Sequence, residues 1–149
     1  MLLSNIRDQL RTAMREKDQT ALETLRGVVS AVQNELVATG KTPQDEADDT
    51  LVQKVIVRLV KQRKDAIEQF SAGGRSDLAE TEQAQLVVLE KFLPAQMSDA
   101  DIRVIAERKK AELAVTDKTK AGILTGAVMK EVAGAADGTR VKAIIESLL

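Results

Sequence analysis

Apolar residues recur at intervals of three and four positions along nearly the whole chain, and no segment alternates apolar with polar residues. This is the periodicity of the α-helix, so the sequence predicts an all-helical (all-α) protein without strands. Ser4 and Asp18 are predicted to cap the first two helices, and Gly40 to end the second. The first helix is expected to bury an apolar stripe that comprises Ile6, Leu10, Ala13 and Met14.

Two further helices are predicted in the first part of the chain. Thr42 and Pro43 suit the start of a third helix, because proline is tolerated in a first turn. Its first turns would be acidic, as the positive end of the helix dipole favours. Gly73 and Gly74 would end this helix, and Asp77 would cap the fourth. The acidic residues are Asp45, Glu46, Asp48 and Asp49.

A domain boundary is predicted near Pro94. Proline disfavours helical geometry in the residue before it, and Ser98 with Asp101 three positions later forms a variant capping box. We therefore expect an N-terminal domain of about four helices over residues 1–93, a linker over 94–98, and a small three-helix domain over 99–149. The last three helices are predicted at about 99–114, 118–133 and 139–149, with Asp137 as the final cap and Gly134 ending the helix before it.

Composition removes several classes of function. The chain has no cysteine and no histidine, so no thiolate, disulfide or imidazole chemistry is expected, and we predict no catalytic residue, metal ligand or cofactor. It also lacks tryptophan and tyrosine, which disfavours a platform for stacked bases. Neither an apolar leader nor a membrane-spanning run is present, so a cytoplasmic protein without membrane contact is expected by default.

Net charge is −1, from 22 basic and 23 acidic residues, which argues against coating DNA by charge alone. Residues 101–149 are nevertheless slightly basic, with nine Lys/Arg against seven Asp/Glu. Two glycines four positions apart and a glycine-bearing turn lie among these charges, a pattern that suits a phosphate-sized anion. Tight helix packing and a solvated capping turn are the alternatives. The candidate residues are Lys118, Lys120, Gly122, Gly126, Lys130, Gly134, Asp137, Gly138, Arg140 and Lys142.

A second group of basic residues is predicted on the third helix. Lys54, Arg58 and Lys61 stand at i, i+4 and i+7 and therefore form one stripe, with Arg63 and Lys64 beside it. A solvated amphipathic face is the alternative interpretation. The stripe is therefore a secondary candidate for contact with an anionic partner.

Several motifs together resemble the GatB/YqeY family. They are the stretch from Lys61 to Ile102, the Gly-x-x-x-Gly-x-x-Met-Lys of Gly122 to Lys130, and the Gly-x-x-Asp-Gly of Gly134 to Gly138. The resemblance covers essentially the whole chain. It implies a helical domain followed by one similar to the tail of the B subunit of glutamine-dependent tRNA amidotransferases. Candidate tRNA contacts implied by motif position are Lys120, Gly122, Gly126, Lys130, Gly134, Asp137, Gly138 and Arg140.

The resemblance and the composition leave three hypotheses. The first is a tRNA-associated binding module or adaptor that touches backbone phosphates, alone or with a tRNA-modifying or aminoacyl-tRNA protein as partner. The second is a protein-binding helical adaptor without RNA contact. The third, implied by the family alone, is a carbon–nitrogen ligase component with glutamine as amido donor. The chain has the tail without a catalytic body, and Ala135 stands where family members often have a basic residue.

Overall fold

The computed structural model describes all 149 residues and contains seven α-helices, one short 3-10 helix and no strand. The predicted all-helical class is confirmed. The 3-10 helix, Lys118–Lys120, directly precedes the sixth α-helix. The α-helices are α1 (Leu2–Glu16), α2 (Gln19–Ala38), α3 (Asp49–Ala72), α4 (Ser76–Glu90), α5 (Asp99–Glu112), α6 (Ala121–Val132) and α7 (Gly138–Leu148).

Contacts divide the chain into two units, Met1–Leu93 and Pro94–Leu149. The first unit contains α1 to α4 and buries an aliphatic core of its own. The second contains α5 to α7 around a separate core. The larger fully buried side chains are Ile6, Leu25, Leu36, Ile56 and Leu89 in the first unit, and Ile102, Leu124 and Ile145 in the second.

Local capping chemistry accounts for several helix boundaries. The side chain of Asp18 accepts from the Ala21 N–H at the start of α2, as predicted. Gly74 adopts φ 74° just after α3, a left-handed conformation that glycine adopts without strain. In each case the stabilising group lies within a few residues of the helix end, and the sequence pattern therefore identifies it.

The start of α1 differs from the prediction. The helix begins at Leu2 and no side chain of its own caps it, so Ser4 is not its N-cap. The Leu2 N–H instead donates to Asp49 Oδ1, at 2.9 Å, across 47 positions of sequence. Met14, predicted to be buried, is 53% exposed, whereas Leu3, Ile6 and Ala13 of the same helix are buried.

Two other predicted starts were also wrong. The third helix begins at Asp49 rather than near Pro43, because Asp48 caps it and the Asp45 carboxylate accepts from the Thr42 N–H in a turn at 2.7 Å. Asp77 lies inside the first turn of α4 and pairs with Arg75, whose guanidinium lowers the pKa of that carboxyl. Aspartate satisfies backbone donors in turns as readily as at helix ends.

Residues 94–98, predicted as a linker, are bonded to the turn before α7. The Met97 N–H donates to the Ala135 carbonyl at 2.8 Å, and the Gln96 side chain donates to the Gly134 carbonyl at 3.2 Å. Ser98 then caps α5 by accepting from the Asp101 N–H, as predicted. This segment is therefore held against the second unit.

Candidate nucleic-acid interface

Helix α6 presents two opposite sides with the same four-residue spacing. Leu124, Val128 and Val132 are buried in the second core. Gly122, Gly126 and Lys130 are exposed on the other side. The spacing that packs one side of the helix against the core therefore aligns both glycines and the lysine in solvent.

The two glycines leave the backbone of α6 open. A methyl group built on either Gly122 or Gly126 meets no atom within 4 Å. Neither glycine is therefore required for close packing against another helix of this chain, which was the alternative explanation for the pair. A phosphate or another backbone can approach α6 closely at both positions.

Lys118 and Lys120 lie in the 3-10 turn that leads into α6, and both are exposed. Asp117 holds this turn by accepting from the Thr119 N–H at 2.9 Å and from the Thr119 hydroxyl. The Thr119 donors, with a smaller contribution from Lys120, lower the pKa of Asp117. The bonds from Thr119 therefore favour the ionised form of the carboxylate.

The ion pairs of the second unit leave the candidate lysines out. They join Arg108 to Glu131, Lys109 to Glu112 and Arg140 to Asp99. Lys118, Lys120, Lys130 and Lys142 are all exposed and take part in none of these pairs. Their ammonium groups are available to an anionic partner.

Arg140 has partners within its own unit. Its guanidinium donates to Asp99 Oδ1 at 2.6 and 3.1 Å and to the Met97 carbonyl at 2.8 Å. These bonds tie the first turn of α7 to the segment that begins α5. These bonds give Arg140 a structural role, and its role as a phosphate contact stays a prediction.

The turn from Gly134 to Gly138 is also occupied by internal bonds. The Asp137 carboxylate caps α7 by accepting from the Thr139 N–H at 2.7 Å, as predicted. Gly134 adopts φ 87°, and Ala135 is buried. An anion at this end of α7 would meet the negative charge of Asp137. The turn is therefore a weaker anion site than the exposed side of α6.

Lys142 lies close to Gly122 in space. Both line a cavity of 260 Å³ that α6 and α7 form together, with Thr125 and Glu146 also in its wall. Lys130 lies eight residues beyond Gly122 on the same side of α6, about 12 Å along the axis. The structure therefore brings Lys142 to the glycine end of the helix, whereas Lys130 stands at the opposite end.

Ile123 is a feature that the sequence analysis missed. It is 63% exposed beside Gly122, although isoleucine in a helix is ordinarily a core residue. Leu124, Val128 and Val132 already form the buried side of α6. Ile123 is a fourth large apolar residue that falls outside this four-residue repeat, and this mismatch is the sequence signal for its exposure.

The secondary stripe on α3 is divided between two environments. Arg58 pairs with Glu35 of α2 at 3.4 Å. Arg63 pairs with Glu82 of α4 at 3.3 Å and donates to Gln85 at 2.9 Å. These two arginines join helices of the first unit. The remaining members, Lys54, Lys61 and Lys64, are exposed.

No group of three or more histidine, cysteine, aspartate or glutamate residues is arranged to hold a metal ion. None of the helices is both long and apolar enough to span a membrane.

A family model described as "Yqey-like protein" matches residues 3–149 of this chain. The chain belongs to the YqeY-like protein family. The resemblance identified from the motifs is thereby confirmed at the level of the family. A relation to amidotransferases stays a prediction, since the description of this family model says nothing of one.

Curated relatives of this YqeY-like chain are named "Altered inheritance of mitochondria protein 41, mitochondrial". The one from Pyrenophora tritici-repentis is 31% identical over 143 residues, 91% of this chain and 74% of the relative. The one from Lachancea thermotolerans is 34% identical over 92 residues, 61% of this chain and 47% of the relative. A Saccharomyces cerevisiae relative is 31% identical over 121 residues, which are 80% of this chain and 62% of the relative. The matched regions thus span between 47% and 74% of these relatives.

These names overturn the expectation of a cytoplasmic protein, because the relatives are named as mitochondrial. The expectation was based on the lack of an apolar leader and of a membrane-spanning run. That criterion detects secretion and membrane insertion only, since organellar transit peptides are amphipathic and basic rather than apolar.

Proposed function

We propose that the second unit of this YqeY-like protein is a binding module for folded RNA of the tRNA type. The observation that carries the proposal is the exposed side of α6, where Gly122 and Gly126 leave the helix backbone open in line with Lys130. The preceding turn adds the exposed Lys118 and Lys120, and none of the three lysines has an ion-pair partner. We call this surface the glycine–lysine face and define it by Lys118, Lys120, Gly122, Gly126 and Lys130.

The chemistry of the glycine–lysine face suits a phosphate backbone. Structured RNA is recognised largely by shape and by contacts to phosphate and ribose, so no aromatic platform is required. Glycine allows the RNA backbone to approach α6 at two points one helical turn apart, and the lysines supply the positive charge. Three lysine–phosphate contacts would contribute a slope of about −2 to −3 in log K against log salt concentration.

A protein partner is the second candidate, and Ile123 favours it. Its exposed side chain borders the glycines of the same face, and glycine-bearing helix surfaces also allow close helix–helix contact. A hydrophobic contact of this kind would depend little on salt. Salt dependence and the response to Ile123→Ser therefore separate the two candidates.

The test is a titration of labelled total tRNA with the full chain at about 50 and 200 mM salt. The variant Lys118→Gln, Lys120→Gln, Lys130→Gln removes three charges from the glycine–lysine face. A dispersed control, Arg26→Gln, Lys41→Gln, Lys91→Gln, removes the same charge from exposed positions of the first unit. Arg140 is left intact because its bonds to Asp99 and Met97 are structural.

We expect the face variant to bind tRNA on the order of tenfold more weakly than the control at the lower salt. Its salt slope should also be smaller in magnitude. Equal affinities of the face variant and the control would refute RNA contact by this face. Loss of an interaction with a protein in Ile123→Ser, without any tRNA binding by the unmodified chain, would establish the second candidate instead.

A further inference from the structure

The arginines of this chain differ in what they bond to. Five of the ten form hydrogen bonds or ion pairs with a different helix or with the segment before α5. Those on α1 make no such bond. The five cross-linking arginines are Arg58, Arg63, Arg103, Arg108 and Arg140.

Three arginines on α1 form a row along one side of the helix. Arg7, Arg11 and Arg15 are spaced by four positions, and all are exposed. Their internal partners are local: Arg11 pairs with Asp8 at 3.0 Å and Arg15 donates to the Thr12 hydroxyl at 3.3 Å. We call this row the arginine ladder. Its three members form no hydrogen bond or ion pair with another helix, although Arg7 borders a cavity whose wall includes the acidic segment 45–49.

The arginine ladder concentrates positive charge on a unit that is otherwise acidic. Residues 1–17 hold four basic and two acidic side chains, whereas residues 18–93 hold nine basic and thirteen acidic ones. Like charges four positions apart on a helix repel each other. Among the ladder arginines only Arg11 has an ion-pair partner, Asp8, while Arg7 shares a cavity wall with the acidic segment 45–49.

We propose that the arginine ladder is a second contact for the phosphate backbone of the RNA. The inference rests on the proposed function for the identity of the ligand, but it concerns a different unit and different residues. Successive members of the ladder advance about 6 Å along α1, so they present evenly spaced guanidinium groups to a regularly charged strand. The guanidinium group binds phosphate oxygens in pairs, which a lysine ammonium does not.

Two other partners fit the ladder less well. A lipid surface requires an apolar helix side to insert, and α1 already buries Leu3, Ile6 and Ala13 in the core. An acidic protein would use the exposed Met14 beside the ladder, but it does not require even spacing of the charges. Because both units belong to one chain, contact through one raises the effective concentration of the other, which allows a near-neutral protein to bind RNA.

The ladder variant Arg7→Gln, Arg11→Gln, Arg15→Gln is compared with the unmodified chain, the face variant and the dispersed control in the same tRNA titration. Circular dichroism is used to check that helix content is retained. We expect the ladder variant to lower the magnitude of the salt slope by about 2 and the affinity on the order of tenfold. The control is expected to bind within about twofold of the unmodified chain.

The outcomes distinguish the ladder inference from the proposed function. If the face variant loses affinity and the ladder variant matches the control, the ladder inference fails and the proposed function stands. The reverse pattern supports the ladder and refutes the glycine–lysine face. If the unmodified chain does not bind tRNA at low salt, both fail. A competition experiment on the face variant compares polyglutamate with unlabelled tRNA at equal charge concentration. If polyglutamate displaces labelled tRNA as readily as unlabelled tRNA does, the ladder binds acidic protein and the inference is overturned.

Discussion

Replacing Gly126 with alanine should make the second unit more stable while weakening its binding to RNA. Gly126 lies in the middle of α6, is exposed, and has no atom within 4 Å of the position that an added methyl group would occupy. Alanine is favoured over glycine in an exposed helix interior by about 0.5–1 kcal/mol, chiefly because glycine loses more backbone entropy on folding. No steric contact opposes that gain.

The expected gain is measurable for a unit of this size. In a domain of this length, 1 kcal/mol shifts Tm by about 4–8 °C, so Gly126→Ala should raise the unfolding temperature of the second unit by several degrees. Calorimetry on the full chain measures the shift. The same variant should bind tRNA more weakly, because the methyl group occupies the space in which the RNA backbone approaches α6.

Gly27→Ala is the matched control. Gly27 also lies inside a helix, is exposed, and has open space around the position of a methyl group. It should stabilise the first unit to a similar extent and leave tRNA binding unchanged. A loss of stability in Gly126→Ala would contradict the geometric argument. Increased stability with unchanged binding would show that nothing approaches α6 closely at this position.

Three further predictions concern single residues. Arg140→Ala should destabilise the second unit by about 1–2 kcal/mol in urea unfolding, because Asp99 and a carbonyl group lose their donor; an unchanged midpoint would show that these bonds contribute nothing. Ala114→Gly should raise the free energy of unfolding by about 0.5–1 kcal/mol, since Ala114 adopts φ 52°, and a lower value would mean that this conformation carries no strain. Thr119→Ala should raise the pKa of Asp117 in an NMR titration, since the Thr119 hydroxyl supplies the largest of the contributions that lower it. Because the pKa of Asp117 is lower in the folded state than in the unfolded state, its ionised form contributes stability above the unfolded pKa. This contribution is lost as pH falls through the folded pKa. In a thermal-unfolding series at acid pH, Thr119→Ala should therefore lose less stability than the unmodified chain.

Helix content and several helix ends follow from sequence because their causes are local. Asp18, Ser98 and Asp137 each bond to a backbone N–H two or three positions away, so the residue type and its neighbours suffice to identify the cap. The glycines that follow α2, α3 and α6 adopt positive φ for equally local reasons. The helical class follows from the apolar spacing alone.

The sequence identifies the basic candidate residues of the C-terminal half, but it does not show which of them are bonded within the fold. Lys118, Lys120 and Lys130 are exposed in the structure, whereas Arg140 is bonded to Asp99, 41 positions earlier in the chain. Sequence spacing says which residues share a side of one helix. It does not say which partner another helix brings to them.

Tertiary structure decided the features on which the proposals depend. Asp49 caps α1 only because the start of α3 lies against it, and no rule based on neighbouring residues predicts such a cap. The glycines of α6 are exposed because the opposite side, with Leu124 and Val128, is turned toward the core. The apolar spacing in the sequence determines the sides of a helix, but which side faces solvent depends on the elements that pack against the helix.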